Sequence, residues 1–318
     1  MAETIDLVAT ALVELSAGRA DAPTRLAVPV PAQNGTCLFM PALVGRAGAL
    51  GVKYISAFPR NKERGRPALS GVLILADANT GEPIALLEAA YLTALRAGAV
   101  TGLATRLLAR EDARTVAIIG TGAQAPWQLE GILAVREVRE VRLYNHHPDK
   151  AYRCAQEIAA RLPPGRQPRI VVCLTPEDVV RGADIVVTAT DSPTPVFPAG
   201  LVEPGMHVNA IGSFRPTMQE LPPGVISPAA KVVVESRQVA LEESGDLVIP
   251  VRDGLFRPED IHAELGEIAA GKKPGRVSPD EVTVFKSVGL AAMDVVVGRA
   301  IYDRAVAMGI GQEVDLGP

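Results

Sequence analysis

The strongest constraint on this chain is a regular alternation of short apolar strands with helices that begins at Arg114. The strands are four runs rich in Val and Ile: TVAIIG, EVRLYN, RIVVC and DIVVTAT. Parallel strands that are covered by helices on both faces have this composition. The pattern predicts an α/β fold with a doubly wound parallel sheet over residues 113–289.

The residues before this region show a different pattern. Four strand-like runs lie between residues 24 and 87, and a helix rich in Ala and Gly is predicted over 87–109. A last helix, predicted over 288–308, is expected to return to this part of the fold. We therefore expect a second, discontinuous α+β domain that is formed by residues 1–112 and 290–318.

Composition excludes several classes of protein. The chain has 318 residues, of which 48% are hydrophobic and 21% charged, so a disordered or fibrous chain is not expected. A net charge of −4 without a basic stripe argues against a nucleic-acid partner. Apolar runs of membrane-spanning length are absent, and the N-terminal stretch reads as a first helix rather than a secretory signal. We expect a soluble protein that acts on a small molecule.

The cysteines indicate a reducing compartment. Cys37, Cys154 and Cys173 are far apart, odd in number and without C-x-x-C spacing. Such a set favours neither a disulfide framework nor a zinc site. We expect a cytoplasmic protein without a metal.

A glycine-rich turn follows the first strand of the alternating region. Residues 120–125 read G-T-G-A-Q-A, the pattern G-x-G-x-x-A, between a Val/Ile strand and a helix. In this context the first glycine makes a tight turn, the second lets the backbone approach a pyrophosphate, and free N–H groups at the helix start face the phosphates. We predict a Rossmann dinucleotide-binding domain with these cofactor contacts: Gly120, Thr121, Gly122, Ala123 and Gln124.

The choice between NAD and NADP depends on the residues after the second strand. A carboxylate at that position hydrogen-bonds the ribose of NAD, whereas this chain has Asn145, His146 and His147. Since no carboxylate at the strand end repels a 2′-phosphate and an imidazole can donate to it, NADP is favoured over NAD. The alternative is that both histidines are solvated loop residues.

The last of the four strands, in DIVVTAT, leads directly into Thr190, Asp191 and Ser192. Cofactors lie at the carboxyl edge of a parallel sheet. Thr190 and Ser192 are therefore predicted to contact the cofactor, while the role of Asp191 stays open.

Several separated stretches together resemble the ornithine cyclodeaminase and mu-crystallin family. They are GVKYISAFPRN, TGEPIALLEAAYLTALRAGAVTG, IGTGAQA, TATDSPTPVF and FKSVGLAAMD, which span nearly the whole chain. The family also contains ketimine reductases, pyrroline-2-carboxylate reductases and an archaeal type of alanine dehydrogenase. The resemblance implies an NAD(P)-dependent homodimer in which the discontinuous domain supplies the substrate pocket and the dimer contact.

The resemblance also assigns residues to the substrate. Arg25 and Arg96 match the two arginines that hold the substrate carboxylate, a task that suits the planar guanidinium group. Lys53 matches the lysine near the reacting carbon, where it would polarise the substrate or relay a proton. For the arginines the alternative is a structural ion pair, and for Lys53 a surface position.

The stretch before the last helix matches the part of the family fold that lines the nicotinamide. Val288 and Gly289 are its predicted contacts, and glycine permits a close backbone approach. An ordinary helix start is the alternative. For Asp294, within that helix, we expect packing or a polar link rather than catalysis.

One departure from the family pattern concerns Phe214. Cyclodeaminases carry an aspartate in a G-G-D-x-P stretch, whereas this chain reads G-S-F-R-P, and a phenyl ring cannot accept a proton. The G-S-F-x-P form resembles the mu-crystallin and imine-reducing branch. Glu220 remains as a carboxylate nearby in the sequence, with a surface position at a strand end as its alternative.

These residues favour one function and leave two others open. The favoured function is reduction of a ketimine such as pyrroline-2-carboxylate, or interconversion of an amino acid and its oxo or imino acid. The first alternative is an ornithine cyclodeaminase that uses NAD without net oxidation. The second is a non-catalytic NADP-binding protein like mu-crystallin.

Overall fold

The computed structural model describes residues 1–163, 165, 167–226 and 231–315. The chain divides into two compact units. The parallel-sheet unit consists of Met1–Ala17 and Ala94–Gly289, and the antiparallel-sheet unit consists of Gly18–Thr93 and Leu290–Pro318. In the described residues, no helix is both long and apolar enough to cross a bilayer.

The helices follow in chain order: α1 (Ala2–Ser16), α2 (Ala89–Leu108), α3 (Ala125–Leu133), α4 (Pro148–Arg161), α5 (Pro176–Val180), α6 (Pro223–Ile226), α7 (Arg237–Glu243), α8 (Gly245–Arg252), α9 (Leu265–Ala269) and α10 (Ala291–Met308).

The strands of the antiparallel-sheet unit are β1 (Ala20–Asp21), β2 (Leu26–Val30), β3 (Gly35–Val44), β4 (Ala49–Ala57), β5 (Leu69–Ala76) and β6 (Pro83–Glu88). Those of the parallel-sheet unit are β7 (Thr115–Ile119), β8 (Glu140–Tyr144), β9 (Arg169–Val172), β10 (Ile185–Thr188), β11 (His207–Ala210), β12 (Lys231–Val234), β13 (Ile261–Glu264) and β14 (Thr283–Lys286).

The parallel sheet has the strand order β13-β12-β14-β11-β10-β7-β8-β9. Strands β10 and β12 are buried along their whole length, which explains their Val and Ile content. The predicted doubly wound α/β fold is confirmed. The sequence prediction missed β13 and β14, because their segments, IHAE and TVFK, contain too few Val and Ile residues to form a recognisable run.

Helices α2 and α3 cross at glycines. A Cβ placed on Gly131 would lie 1.9 Å from the carbonyl oxygen of Gly98, and one on Gly102 would lie 2.7 Å from the carbonyl oxygen of Gly131. Only hydrogen at these positions lets the two backbones approach so closely. The predicted Ala/Gly-packed helix is therefore confirmed as α2, and it positions α3 behind the glycine-rich turn.

The antiparallel sheet has the order β1-β3-β4-β5-β6, with β2 also paired to β3. Helix α10 covers one face and packs on β3, β4 and β5. The close fit depends on Gly298, because a Cβ there would lie 2.2 Å from Cδ2 of Leu73.

The face of this sheet opposite α10 exposes large apolar side chains. Alternation along β3 buries Met40 and Ala42 and exposes Phe39. The cross-strand partners of Phe39 are Leu26 on β2 and Tyr54 on β4. We define the open sheet face by its exposed members: Leu26, Phe39, Ile74 and Leu86.

The compact units differ from the predicted domain boundaries at two places. Helix α1 belongs to the parallel-sheet unit because it packs on α9, where a Cβ on Gly266 would lie 2.0 Å from the Leu12 carbonyl oxygen. The part of α2 from Ala94 onward belongs there as well. How the functional domains divide, 1–112 with 290–318 against 113–289, stays a prediction.

Candidate active site

The predicted cofactor residues lie at the carboxyl edge of the parallel sheet. The register pairs Ile119 with Tyr144 on one side and with Thr188 on the other, so the loops after β7, β8 and β10 start at one level. The chain continues from β7 to β8 and β9 on one side, while β10 pairs with the other side of β7. Doubly wound folds bind their ligands where the strand order reverses in this way.

Gly120 of the turn is closely packed against neighbouring atoms, whereas Gly122 has open space beside it. Gly120 has a φ of +95°, and a Cβ there would lie 2.5 Å from the Ala189 carbonyl oxygen, so the tight turn requires glycine. A Cβ on Gly122 would meet no described atom within 4 Å. This open space at the start of α3 fits a pyrophosphate against helix N–H groups.

The rest of the turn is fixed by side-chain hydrogen bonds. The buried Thr121 accepts a hydrogen bond at Oγ1 from Asn145 Nδ2 at 3.0 Å. Gln124 stands at the N-cap of α3 and accepts from Gln128 Nε2 at 3.4 Å, and Ala123 is exposed. The structure therefore brings Thr121 and Asn145 together.

The loop after β8 presents two exposed imidazoles. The backbone N–H of His147 donates to Asn145 Oδ1 at 2.9 Å, and His146 Nδ1 lies 3.3 Å from the Tyr144 hydroxyl. Both histidine rings are exposed just before α4, whose first turn carries Asp149. Asn145 thus ties this loop to the glycine-rich turn and leaves the imidazoles at its surface.

Glu220 joins the loops after β10 and β11. Its Oε1 accepts from the N–H of Thr190 at 2.6 Å and from its hydroxyl at 2.9 Å. Its Oε2 accepts from the N–H of Gly212 at 2.6 Å and of Ser213 at 3.2 Å. Glu220 is completely buried, so its interpretation as a surface residue at a strand end is wrong.

Two further buried charges accompany Glu220. Asp246 Oδ1 accepts from the N–H groups of Glu220 and Leu221 at 2.6 and 2.9 Å, and its Oδ2 lies 3.1 Å from Lys286 Nζ. Burial raises the pKa of the Glu220 carboxyl; the Lys286 ammonium opposes the rise and the Asp246 carboxylate adds to it. The two carboxylates and the lysine tie the loops after β10 and β11 to helix α8 and to the end of strand β14.

The side chains of the two predicted contacts after β10 are both hydrogen-bonded to other residues of the protein. Thr190 is engaged by Glu220, and Ser192 Oγ donates to the Thr194 carbonyl oxygen at 2.6 Å. Their contact with a cofactor stays a prediction. Phe214 is partly exposed, with the Arg215 guanidinium 5.3 Å from its ring centre.

Arg96 lies against the loop that follows β14. A Cβ on Gly289 would lie 2.7 Å from Nη2 and 2.8 Å from Nη1 of Arg96, so the guanidinium sits directly on the glycine Cα. Gly289 has a φ of +82°. The loop is bonded to the buried Glu235, which accepts from Ser287 Oγ at 2.6 Å and from the N–H of Val288 at 3.2 Å and of Gly289 at 2.8 Å. These bonds and the positive φ explain why α10 starts at Ala291, three residues later than predicted.

The other two predicted substrate residues belong to the antiparallel-sheet unit. Lys53 on β4 is buried, and its ammonium lies 2.5 Å from Oδ2 of the buried Asp294 on α10. The interpretation of Lys53 as a surface lysine is wrong. Arg25 directly precedes β2, in which Leu26 pairs with Phe39 of β3. The next residue of β3, Met40, pairs with Lys53 of β4. Extending the register by one residue places Arg25 opposite Met40.

Sequence reasoning missed Glu235 and Asp246. Glu235 directly follows the run VVV at the end of a parallel strand, and Thr190 was singled out because it also follows such a strand. This signal was available and would have found it. Asp246 lies in the first turn of α8, and no local pattern marks it as a partner of Lys286.

The fold and this edge of the sheet define a dinucleotide-binding α/β protein, and comparisons with known proteins narrow the class. The model of the ornithine cyclodeaminase/mu-crystallin family matches residues 1–309. A Δ1-pyrroline-2-carboxylate reductase of Bacillus cereus is 47% identical over 315 residues, which cover 99% of this chain and 95% of that protein.

Two solved structures are similar along almost the whole chain. The Δ1-pyrroline-2-carboxylate reductase of Thermococcus litoralis, in complex with NADH and L-proline, is 36% identical with a TM-score of 0.93 and covers 98% of this chain and 95% of its own. An archaeal alanine dehydrogenase dimer with bound NAD is 33% identical with a TM-score of 0.92 and covers 99% and 94%.

The chain belongs to the ornithine cyclodeaminase/mu-crystallin family, as its motifs predicted. It is an NAD(P)-dependent oxidoreductase, which confirms the predicted class of enzyme.

Proposed function

We propose that the protein reduces a small cyclic ketimine with NAD(P)H, and that Δ1-pyrroline-2-carboxylate is the first substrate to test. The observation that carries this proposal is the 47% identity to the Bacillus cereus reductase along 99% of the chain. The Thermococcus litoralis relative holds NADH with L-proline, the amino acid that this reduction yields. Phe214 supports the same choice, because a phenyl ring stands where cyclodeaminases have an aspartate.

Each predicted residue has a role in this reaction. Arg25 and Arg96 bind the substrate carboxylate through paired N–H groups, which fixes the orientation of the imine carbon. When bound, NAD(P)H would supply a hydride to this carbon, and the ring nitrogen would gain a proton. The Lys53 ammonium, held by Asp294, polarises the imine or donates that proton.

The residues of the carboxyl edge would hold the cofactor. The open space at Gly122 receives the pyrophosphate, while Gly120, Thr121, Ala123 and Gln124 shape the turn. In the neighbouring loops, the following residues line the rest of the cofactor: Asn145, His146, Thr190, Ser192, Val288 and Gly289.

For the cofactor we propose that NADP(H) is accepted and preferred over NAD(H). This rests on the exposed imidazole of His146 and on the absence of a carboxylate at residues 144–147. The two similar solved structures contain NADH and NAD, respectively. The test is kcat/KM for NADPH and for NADH in the wild type and in His146→Ala. A loss confined to NADPH supports the proposal, and equal values for both cofactors in the wild type contradict it.

We also propose a homodimer that pairs the open sheet face of two copies. Exposed Leu26, Phe39, Ile74 and Leu86 form an apolar surface of the kind that marks protein interfaces. The similar alanine dehydrogenase is a dimer.

The deciding experiment follows the absorbance of the reduced nicotinamide. With Δ1-pyrroline-2-carboxylate we expect net oxidation of NAD(P)H and formation of proline. Pyruvate with ammonia is the parallel substrate, and turnover on it alone would make the protein an amino acid dehydrogenase. Release of ammonia from ornithine without net change in the nicotinamide would identify a cyclodeaminase. Tight nucleotide binding with no turnover on any of these would identify a non-catalytic binding protein.

A further inference from the structure

The loop Ser287–Gly289 connects two buried groups that the reaction described above does not link. On one side it is bonded to the carboxylate of Glu235, and on the other side Gly289 supports the guanidinium of Arg96. All of these residues belong to the parallel-sheet unit. A change at Glu235 therefore has a direct structural path to Arg96.

Glu235 is placed for this task by the sheet. It directly follows β12, and the register pairs Val234 of β12 with Lys286 of β14. The next residue is therefore Glu235 after β12 and Ser287 after β14. Ser287 Oγ donates a hydrogen bond to Glu235 Oε1 at 2.6 Å. The register of the two strands alone therefore places the Glu235 carboxylate beside the loop Ser287–Gly289.

The backbone N–H groups of this loop need a hydrogen-bond acceptor that does not belong to α10. The N–H groups of Val288 and Gly289 precede the first residue of α10 and point to Glu235 Oε2 at 3.2 and 2.8 Å. Buried N–H groups that lose their acceptor destabilise the conformation that buries them. Glu235 thus holds Gly289 at its positive φ and at its distance from Arg96.

Arg96 in turn depends on the position of Gly289. Its side chain is buried, and both terminal nitrogens lie within 3 Å of where a Cβ on Gly289 would be. A guanidinium that binds a carboxylate through two N–H groups needs a fixed plane. A shift of the loop by a fraction of an ångström would change that plane.

We propose that Glu235 is a positioning residue for substrate recognition, which fixes through Ser287–Gly289 the guanidinium of Arg96 that binds the substrate carboxylate. This inference rests on the proposed function in so far as the carboxylate belongs to an imino acid. It predicts that Glu235 contributes to the preference for a carboxylate on the substrate, although it does not contact the substrate.

The test compares two substrates that differ only in the carboxylate, Δ1-pyrroline-2-carboxylate and 1-pyrroline. For Glu235→Ala we expect the ratio of the two kcat/KM values to fall by about tenfold, the effect of one displaced charge-assisted hydrogen bond. The loss should come from a higher KM for the carboxylate substrate. Because Val288 and Gly289 are also proposed cofactor contacts, both substrates are assayed at saturating NAD(P)H, so that a change in nucleotide affinity does not alter the ratio. Glu235→Gln should restore most of the ratio, because its amide oxygen accepts the two N–H groups and its NH2 donates to Ser287 Oγ.

Two more variants separate positioning from general stability. Gly289→Ala keeps Glu235 but places a methyl group on the Arg96 guanidinium, and it should lower the same ratio. Asp184→Ala removes a carboxylate that also accepts two backbone N–H groups, those of Arg114 and Thr115, at the other edge of the sheet. It should lower the Tm and leave the ratio unchanged. Equal effects of Asp184→Ala and Glu235→Ala on the ratio would overturn the proposal.

A readout without substrate separates this inference from the proposed function. Hydrogen exchange of Val288 and Gly289 and the rate at which phenylglyoxal modifies Arg96 should both rise in Glu235→Ala and not in Asp184→Ala. If the wild type reduces neither substrate, the proposed function fails, and these two rates still decide whether Glu235 controls Arg96. Unchanged rates in Glu235→Ala contradict the inference whatever the substrate.

Discussion

Lys53 and Asp294 form an ion pair of 2.5 Å between strand β4 and helix α10, and both side chains are almost completely buried. The desolvation of two charges offsets much of their attraction, so a buried ion pair is a weak reason for stability. A lysine kept in such a place fits a chemical role that requires an oriented ammonium. The expectation of a polar link for Asp294 agrees with this pair.

Lys53→Met should therefore separate activity from stability. Loss of the ammonium leaves a buried carboxylate without this cation, and we expect the free energy of unfolding to fall by about 3 kcal/mol. Turnover should be lost while nucleotide still binds. In the double variant Lys53→Met, Asp294→Leu, the free energy of unfolding in urea should return to near the wild-type value, whereas turnover should not recover. A double variant that regains turnover would exclude Lys53 from the chemistry.

The second prediction concerns His207 on β11, which is completely buried. Its Nδ1 lies 2.9 Å from Thr283 Oγ1, and its Nε2 lies 3.1 Å from Asn209 Oδ1. Burial, together with the smaller effect of the Arg276 charge, lowers the pKa of His207 from 6.5 to about 3. The unfolded chain therefore takes up a proton near pH 6.5 that the folded protein excludes, so stability falls as the pH is lowered from 6.5 toward 3.

Between about pH 7 and about pH 5, His207 alone should reduce the free energy of unfolding by about 2 kcal/mol. The measurement is urea unfolding of the wild type and of His207→Gln at both pH values. The variant should lose this part of the pH dependence, whereas His146→Gln, at an exposed histidine, should keep it. An unchanged pH dependence in His207→Gln would show that the imidazole is not held neutral.

Features that lie in one contiguous stretch of sequence could be predicted, whereas contacts between distant stretches could not. The turn at Gly120–Ala125, its strand and its helix are contiguous, so their pattern alone predicted the nucleotide fold. Arg96 was recognised from a local motif, but the contact of its guanidinium with Gly289 joins residues almost two hundred positions apart. No periodicity in either stretch records such a contact.

Buried polar groups explain the remaining differences. Glu220 precedes Leu-Pro-Pro in a polar stretch and was open to a surface interpretation, but four donors from two loops make its complete burial possible. The same holds for Lys53, whose ion partner lies 241 residues away. In both cases the compensating partners decide the burial, and no local pattern in the sequence marks them as partners.

The open sheet face leads to a third prediction. Leu86→Glu should convert the proposed dimer to monomers, because a carboxylate within an apolar contact is desolvated without a partner. Light scattering across a dilution series measures the shift. Leu174→Glu is the matched control, since Leu174 and Leu86 are both 68% exposed but Leu174 lies in the parallel-sheet unit. A dimer that survives Leu86→Glu and Phe39→Glu would place the interface elsewhere.

The last prediction uses two glycines that differ in their surroundings. At Gly122 a Cβ meets no described atom within 4 Å, and φ is not positive, so Gly122→Ala should leave the Tm unchanged. The methyl group would occupy the space where the pyrophosphate approaches, and we expect the Kd of the nucleotide to rise by about tenfold or more.

Gly131→Ala should give the opposite result. Its Cβ would lie 1.9 Å from the Gly98 carbonyl oxygen, so α2 and α3 must separate, and overpacking of this kind lowers the free energy of unfolding by about 1–3 kcal/mol. Calorimetry and nucleotide titration of both variants measure the contrast. A rise in Kd for Gly122→Ala with unchanged Tm assigns the open space to the cofactor, whereas a large loss of Tm in Gly122→Ala would mean that this glycine serves the fold instead.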